Sequence, residues 1–366
     1  LHESVSVKDF GAVGDGVTDD SAAFTDALAS GATRIFIPRT ASFYLVNTPV
    51  SIPASVQIIG IDRPVIKSTV AGTRIFGGNG LTGVTIDGVC FDSAGSSTVP
   101  TSLYSSVAAV NCGLVTLYNC TNVRITNCRF TNFYNGLSVV KCSTVWVTNN
   151  EVSNWYVYGI LGSLCSRAFF DYNNVQTCDF AGAGNAYGIM VTGDQAGGNT
   201  SDTTSISNNF IKGVKSWDGL MTHDITRLKV IGNVIEDCRV GIDVGHFDVT
   251  NVIKSVVVEG NIISLTSTDT WAGAGASHNG IAVIGFDATH QCERVSIIGN
   301  QVDNFGAMTG AVLSGTPSPY GLQHIRNLTV TGNQVTGAGS VNVSTGMFLV
   351  GTLNNVTITG NNFNGT

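Results

Sequence analysis

Eight side chains able to move protons crowd the centre of the chain: Tyr187, Asp194, Asp218, His223, Asp224, Asp243, His246 and Asp248. Only 12% of the 366 residues are charged, against roughly 25% in ordinary soluble domains. A cluster in so charge-poor a chain is the strongest functional signal present, because perturbed titratable groups gather where chemistry is done. Two carboxyl groups roughly 5 to 9.5 Å apart, one protonated and one ionised, suit hydrolysis of a glycosidic bond. Elimination beside a uronic carboxylate would need a base, a cation to neutralise that carboxylate, and a Tyr or His to protonate the leaving oxygen. Nearby cations are few: Lys141, with Lys212 and Lys215, against five Asp. That balance would repel a polyanion unless bound Ca²⁺ inverted the field, so local charge favours hydrolysis, and hydrolysis needs no cofactor.

A repeating phrase sets where these residues must lie. An apolar alternation leads into Asn in Leu228-Lys-Val-Ile-Gly-Asn233, Val256-Val-Val-Glu-Gly-Asn261, Val295-Ser-Ile-Ile-Gly-Asn300, Leu328-Thr-Val-Thr-Gly-Asn333 and Val356-Thr-Ile-Thr-Gly-Asn361. Earlier copies end at Asn150, Asn173, Asn208 and, with Cys in place of Asn, at Cys128, so nine coils follow one another at intervals of about 20 to 40 residues. Between most of them stands Gly followed by an aliphatic residue, as in Gly188-Ile, Gly219-Leu, Gly241-Ile and Gly280-Ile. Short strands separated by turns and stacked coil on coil make an all-β solenoid, a single-stranded right-handed parallel β-helix. Inward Val, Ile and Leu would fill its bore, and Asn at one fixed turn would stack into an amide ladder.

Columns follow from this stacking. Cys120, Cys142, Cys165, Ile225, Ile253, Cys292 and Ile325 share one column before each first strand, which reads as interior filler. Cys178 and Cys238 share another with Trp155. The nine cysteines are therefore expected to be buried thiols, since no Cys-x-x-Cys spacing suggests a metal. On the Gly-aliphatic strand the second and fourth residues after Gly face outward, which places Met221 and His223 beside Asp243 on the next coil. Asp218 precedes its Gly, while Asp194, Asp224, His246 and Asp248 close the strand ends. Asp194 and Asp224 would stand roughly 6 Å apart on adjacent coils. Tyr187, Asp194, Asp218, His223, Asp224 and Asp243 are the catalytic candidates. Tyr158, Lys141, Trp217, His246 and Asp248 are the substrate-binding candidates, the aromatic rings serving as platforms for sugar faces. Structural alternatives stand beside these roles: Asx turns for Asp194 and Asp248, a hydrogen bond to the turn below for His223, and packing for Trp217 and Trp271. Inserts at Gln195 to Ser201, Ser267 to Asn279 and Ala311 to Gln323 would wall a groove, as inserts in solenoids collect on the binding face.

The amino-terminal stretch Asp9-Phe-Gly-Ala-Val-Gly-Asp-Gly-Val-Thr-Asp-Asp20 leads from a strand through a Gly-rich turn into a short acid-capped helix that plugs the bore. It lacks the Lys of a phosphate cradle, and Asp15, Asp19 and Asp20 would repel an anion. This stretch resembles the opening of pectate-lyase-like β-helix proteins, among them phage tailspike depolymerases, rhamnogalacturonan-active enzymes and mannuronan epimerases, and the repeats extend the resemblance over the whole chain. Asp218-Gly-Leu-Met-Thr-His223-Asp224 is similar to the epimerase motif Tyr-Gly-Phe-Asp-Pro-His-Glu. The resemblance gives His223 the place of the catalytic His and Asp224 that of the acid after it, but Asp218 stands for the Tyr and Met221 for the Asp. Tyr187 and Asp243 would supply those groups from neighbouring coils. The acid pairs and Arg-Ile-Lys signature of polygalacturonases are missing, and Gly245-His246 echoes them weakly.

A net charge of −7, with 18 Lys+Arg and no basic cluster, argues against nucleic acid and an anionic membrane surface. No 18-residue apolar run suggests a membrane span. Residues 1–60 are expected to form the terminal strand, turn, capping helix and first coils, and residues 61–366 one continuous β-helix. The chain opens at Leu1 without a leader, which suggests a processed or excised segment. It closes at Thr366 without a cap, and an open apolar coil end must be covered. The resemblance supplies a model for that cover in homotrimeric tailspikes. It implies an extracellular, virion-borne depolymerase of a bacterial capsular polysaccharide or lipopolysaccharide. A secreted uronate lyase or epimerase is the alternative, and a non-catalytic glycan-binding spike the second.

Overall fold

A computed structural model describes residues 3–95, 97, 113–178, 186–193, 201–245, 252–264, 279–303, 318–336 and 347–363. The chain divides into two compact units, Leu1–Asn174 and Val175–Thr366. In each, every registered strand pair is parallel and joins one coil to the next, as in Val123 with Val145 and Val230 with Val258. The fold is the expected right-handed parallel β-helix. Among the described residues no helix is long and apolar enough to cross a membrane.

In the first unit the helix Ser21–Ala29 buries Ala23, Phe24, Ala27 and Leu28. Phe24 opens a column of aromatic rings that continues through Phe76, Phe91 and Phe130, with centroids 6.2, 5.5 and 5.2 Å apart. The helix thus plugs the bore through a stack of rings. Its acid cap is not as expected. Asp20 stands at the N-cap but makes no side-chain capping bond; its carboxylate instead accepts from the Val13 and Gly14 amides at 2.6 and 3.1 Å. Asp15 accepts from the Val17 and Thr18 amides at 2.8 and 2.7 Å, which holds its carboxyl below the usual range. The Gly-rich opening is therefore a self-satisfied turn.

The amide ladder forms in both units. Asn150 donates to Asn173 at 3.0 Å in the first. In the second, Asn209, Asn233, Asn261, Asn300, Asn333 and Asn361 continue it at 2.8 to 2.9 Å. Each interior amide is saturated: Asn261 Oδ1 accepts from the Asn233 backbone and side chain, while its Nδ2 reaches Val230 O and Asn300 Oδ1. The residue before each ladder Asn is left-handed, φ 64° at Gly232 and 55° at Asn208, which explains the recurring Gly-Asn and Asn-Asn pairs.

Cys120, Cys142, Cys165, Cys238 and Cys292 are buried free thiols, as the columns require. Cys178 is half-buried, and Cys112 lies outside the described residues.

Candidate functional site

Four strands of the second unit carry the site: Tyr187–Thr192, Asp218–His223, Val240–Gly245 and Asn279–Ile284. They pair in that order, so that Tyr187, Asp218 and Val240 share a column, as do Met190, Met221, Asp243 and Ala282, and Thr192, His223, Gly245 and Ile284. His223 and Asp243 therefore lie one coil and two residues apart, as the spacing predicts. The glycine opening each strand is set by close packing. A Cβ on Gly219 would lie 2.8 Å from Ile235 Cγ2 and 3.0 Å from Cys238 Sγ, and one on Gly241 would lie 2.5 Å from Ile263 Cγ2.

The outer positions of these strands are not solvated: Met190, Met221 and His223 are only 3 to 5% exposed. Asp218 is buried and Asp243 half-buried, yet Asp218 Oδ2 and Asp243 Oδ1 are sealed from solvent and meet no hydrogen-bond donor among the described residues. Burial, reinforced by the charge of Asp243, holds the Asp218 carboxyl far above its ordinary value, with Arg239 acting weakly the other way. Burial pushes Asp243 up to about 7. The two carboxyls form one interacting pair that retains a proton near neutral pH.

Burial pushes His223 down to about 3. Its imidazole is neutral at pH 7 and a poor proton acceptor there.

Asp224 sits in the turn that ends the His223 strand. It is wholly buried, left-handed at φ 52°, and its amide donates to Gly245 O at 3.1 Å. Its charge is felt by Cys292, in the interior column. Lys141 and His324 occupy the corresponding left-handed turn of their own coils, with φ 53° and 50°.

Arg239 was not among the sequence candidates. It is buried, donates from Nη1 to Ser216 O at 2.8 Å, and lies 4.7 Å over the Trp217 ring. Desolvation disfavours its charge while Asp218 supports it. A signal existed: Arg239 stands two residues before Gly241, as Trp217 does before Gly219, so the strand pairing brings these two positions onto adjacent coils.

Tyr187 is buried beside Asp218 in register. Lys212 is committed to Glu236 at 2.9 Å and Asp237 at 3.8 Å. Tyr158 and Lys141 belong to the first unit; burial and Tyr134 raise the Tyr158 phenol, and Lys141 Nζ lies 5.6 Å over the Tyr118 ring. Asp194, His246, Asp248 and Trp271 lie outside the described residues, as do most of the three inserts expected to wall a groove. Among the described residues no group of three or more His, Cys, Asp or Glu is placed to hold a metal ion.

The model of the right-handed β-helix region matches residues 72–254, half of the chain, and the chain belongs to that family. Three solved structures show the architecture. The tailspike of Escherichia coli bacteriophage HK620, a double mutant in complex with a pentasaccharide, aligns with a TM-score of 0.71 at 15% identity, over 98% of this chain and 66% of that one. The A-module of an Azotobacter vinelandii mannuronan C-5 epimerase gives 0.67 at 16%, over 98% and 96%. A hyperthermoactive exopolygalacturonase from Thermotoga maritima gives 0.58 at 13%, over 90% and 92%. No curated protein sequence matches the chain.

Proposed function

We propose that the chain is an extracellular polysaccharide depolymerase of the phage tailspike type that hydrolyses a bacterial capsular or lipopolysaccharide glycan, with Asp218 and Asp243 as its carboxyl pair. The observation that carries this reading is the pair itself: two desolvated acids on adjacent strands, both displaced upward, each with an oxygen lacking a donor among the described residues. The proton that the pair retains goes to the glycosidic oxygen as the C–O bond breaks. The carboxylate left ionised in the pair takes a proton from the water that bonds to the anomeric carbon, so one water is added across the bond. Hydrolysis is preferred to elimination because His223 is a weak base in its buried setting and Lys212 is held by acids of the next coil. Trp217, with Arg239 on its ring, and the phenol of Tyr187 line the same strands. Asp224 acts by shaping the turn that ends the His223 strand. The similarity of the fold to a tailspike crystallised with an oligosaccharide and to a polygalacturonase supports a glycan as substrate.

Incubation with capsular and lipopolysaccharide glycans, followed by mass spectrometry and ultraviolet absorbance, tests the reaction. Products heavier by one water and lacking unsaturated-uronide absorbance are expected; unsaturated products would place the chain with the secreted lyases. Binding without cleavage, unchanged in Asp243→Asn, would make it a glycan-binding spike. The virion location carries a homotrimer with it, and sedimentation showing a monomer at micromolar concentration would favour a free secreted enzyme.

A further inference from the structure

Val65, Cys90, Arg129 and Glu151 occupy one register column on four successive coils of the first unit. Together with Arg39, Thr40 and Arg63 they line a cavity of about 320 Å³. Three arginines thus line one hollow in a chain of net charge −7 that has only 18 Lys+Arg in all. One of the three is satisfied, since Arg63 donates to Glu151 at 2.8 Å. Arg39 and Arg129 have no ion-pair partner among the described residues. Arg129 Nε and Thr40 Oγ1 are also sealed from solvent without a hydrogen-bond partner.

A neutral ligand would leave the two uncompensated guanidiniums unanswered. An oxyanion matches the planar fork of donors and their charge together. An inorganic anion would fill little of the volume, whereas a pyranose ring would place hydroxyls against Thr40 and Ser42 on the cavity wall. We propose that this cavity is a binding site for a carboxylated sugar residue, held through its carboxylate by Arg39 and Arg129. The site is built from the first unit alone, and its occupancy does not depend on what Asp218 and Asp243 do.

The test is saturation-transfer NMR of the full chain carrying Asp243→Asn, titrated with D-glucuronate, D-glucose and inorganic phosphate. Glucuronate should bind saturably and glucose should not, and added salt should weaken the binding. Arg129→Gln and Arg39→Gln should each weaken it at least tenfold. Arg39 is exposed, so its variant folds even where the partly buried Arg129 variant does not. Saturable binding of phosphate with no binding of glucuronate would overturn the sugar assignment. Glucuronate bound equally well by Arg39→Gln, or not bound at all, would overturn the site. Because no cleavage is measured, failure here leaves the hydrolytic reading of the second unit unaffected, and the reverse holds.

Discussion

The guanidinium of Arg239 lies over the Trp217 ring and beside the Asp218 carboxylate, the buried cation that opposes the upward displacement of the acid pair. An opposite charge lowers a carboxyl pKa, so its removal raises it. Arg239→Met should move the acidic limb of the kcat/KM profile upward by about one pH unit, and Arg239→Lys should restore most of it. A profile that stays in place in Arg239→Met, measured on any cleaved glycan, would remove Arg239 from the site.

Asp243→Asn keeps the shape of the side chain and loses its proton. Turnover should fall by about 10²-fold or more, the range of general acid or base groups. His223→Ala should cost less than about tenfold if the reaction is hydrolysis. Steady-state rates for both variants decide the order; a larger loss at His223 would point to elimination.

Asp243 and His223 pull stability in opposite directions as pH changes. Asp243 titrates near 3.8 when unfolded and about 7 when folded, so the folded state binds the extra proton. The stability it contributes is complete below about pH 4 and is lost as pH rises toward 7. His223 titrates near 6.5 unfolded and about 3 folded, so its contribution is lost as pH falls below 6.5. Melting temperature should therefore respond less favourably to acidification in Asp243→Asn than in the wild type, because Asp218 alone then opposes the histidine. It should fall on raising the pH from about 4 to 7 in His223→Gln. Two variants with the same slope would contradict the burial of one group or the other.

Interior rungs of the amide ladder should outweigh its end. Asn261→Ala leaves the Asn233 backbone N–H and one Asn233 Nδ2 proton without their acceptor and takes a donor from Val230 O, while Asn300 Oδ1 keeps the residue 261 backbone N–H, which should cost about 2 kcal/mol or more, at roughly 1 to 3 kcal/mol for each buried group left unpaired. Asn361, the last rung among the described residues, accepts from Asn333 and donates to Val330 O, and Asn361→Ala should cost less. Urea denaturation of the two variants measures the difference.

Thiol titration checks the columns. Native protein should leave Cys120, Cys142 and Cys165 unreacted, whereas all nine cysteines should react in denaturant. Half-buried Cys178 should be modified before the other described thiols.

Much of this protein is written in its order of residues. Parallel pairing repeats one register coil after coil, so a period in the chain becomes a column in space; hence the Asn ladder, the Cys and Ile filler and the offset between His223 and Asp243 could all be read before any coordinate. That a helix plugs the bore at the amino end was legible too; that Phe24 leads a stack of rings there was not. Burial did not follow, because a column says on which side of a strand a residue lies and not what covers it. His223, an outer position by period, is sealed, and that desolvation is what makes it neutral. Arg239 escaped notice because its column is a corner, where alternation breaks at Gly241 and side-chain direction is no longer a matter of parity. Asp224 matched a motif, yet its left-handed backbone and its closeness to Cys292 belong to the turn. Charge and position along the chain determined where acids gather; only the packing of neighbouring coils decided which of them lose water, and loss of water is what sets a carboxyl apart as a proton donor.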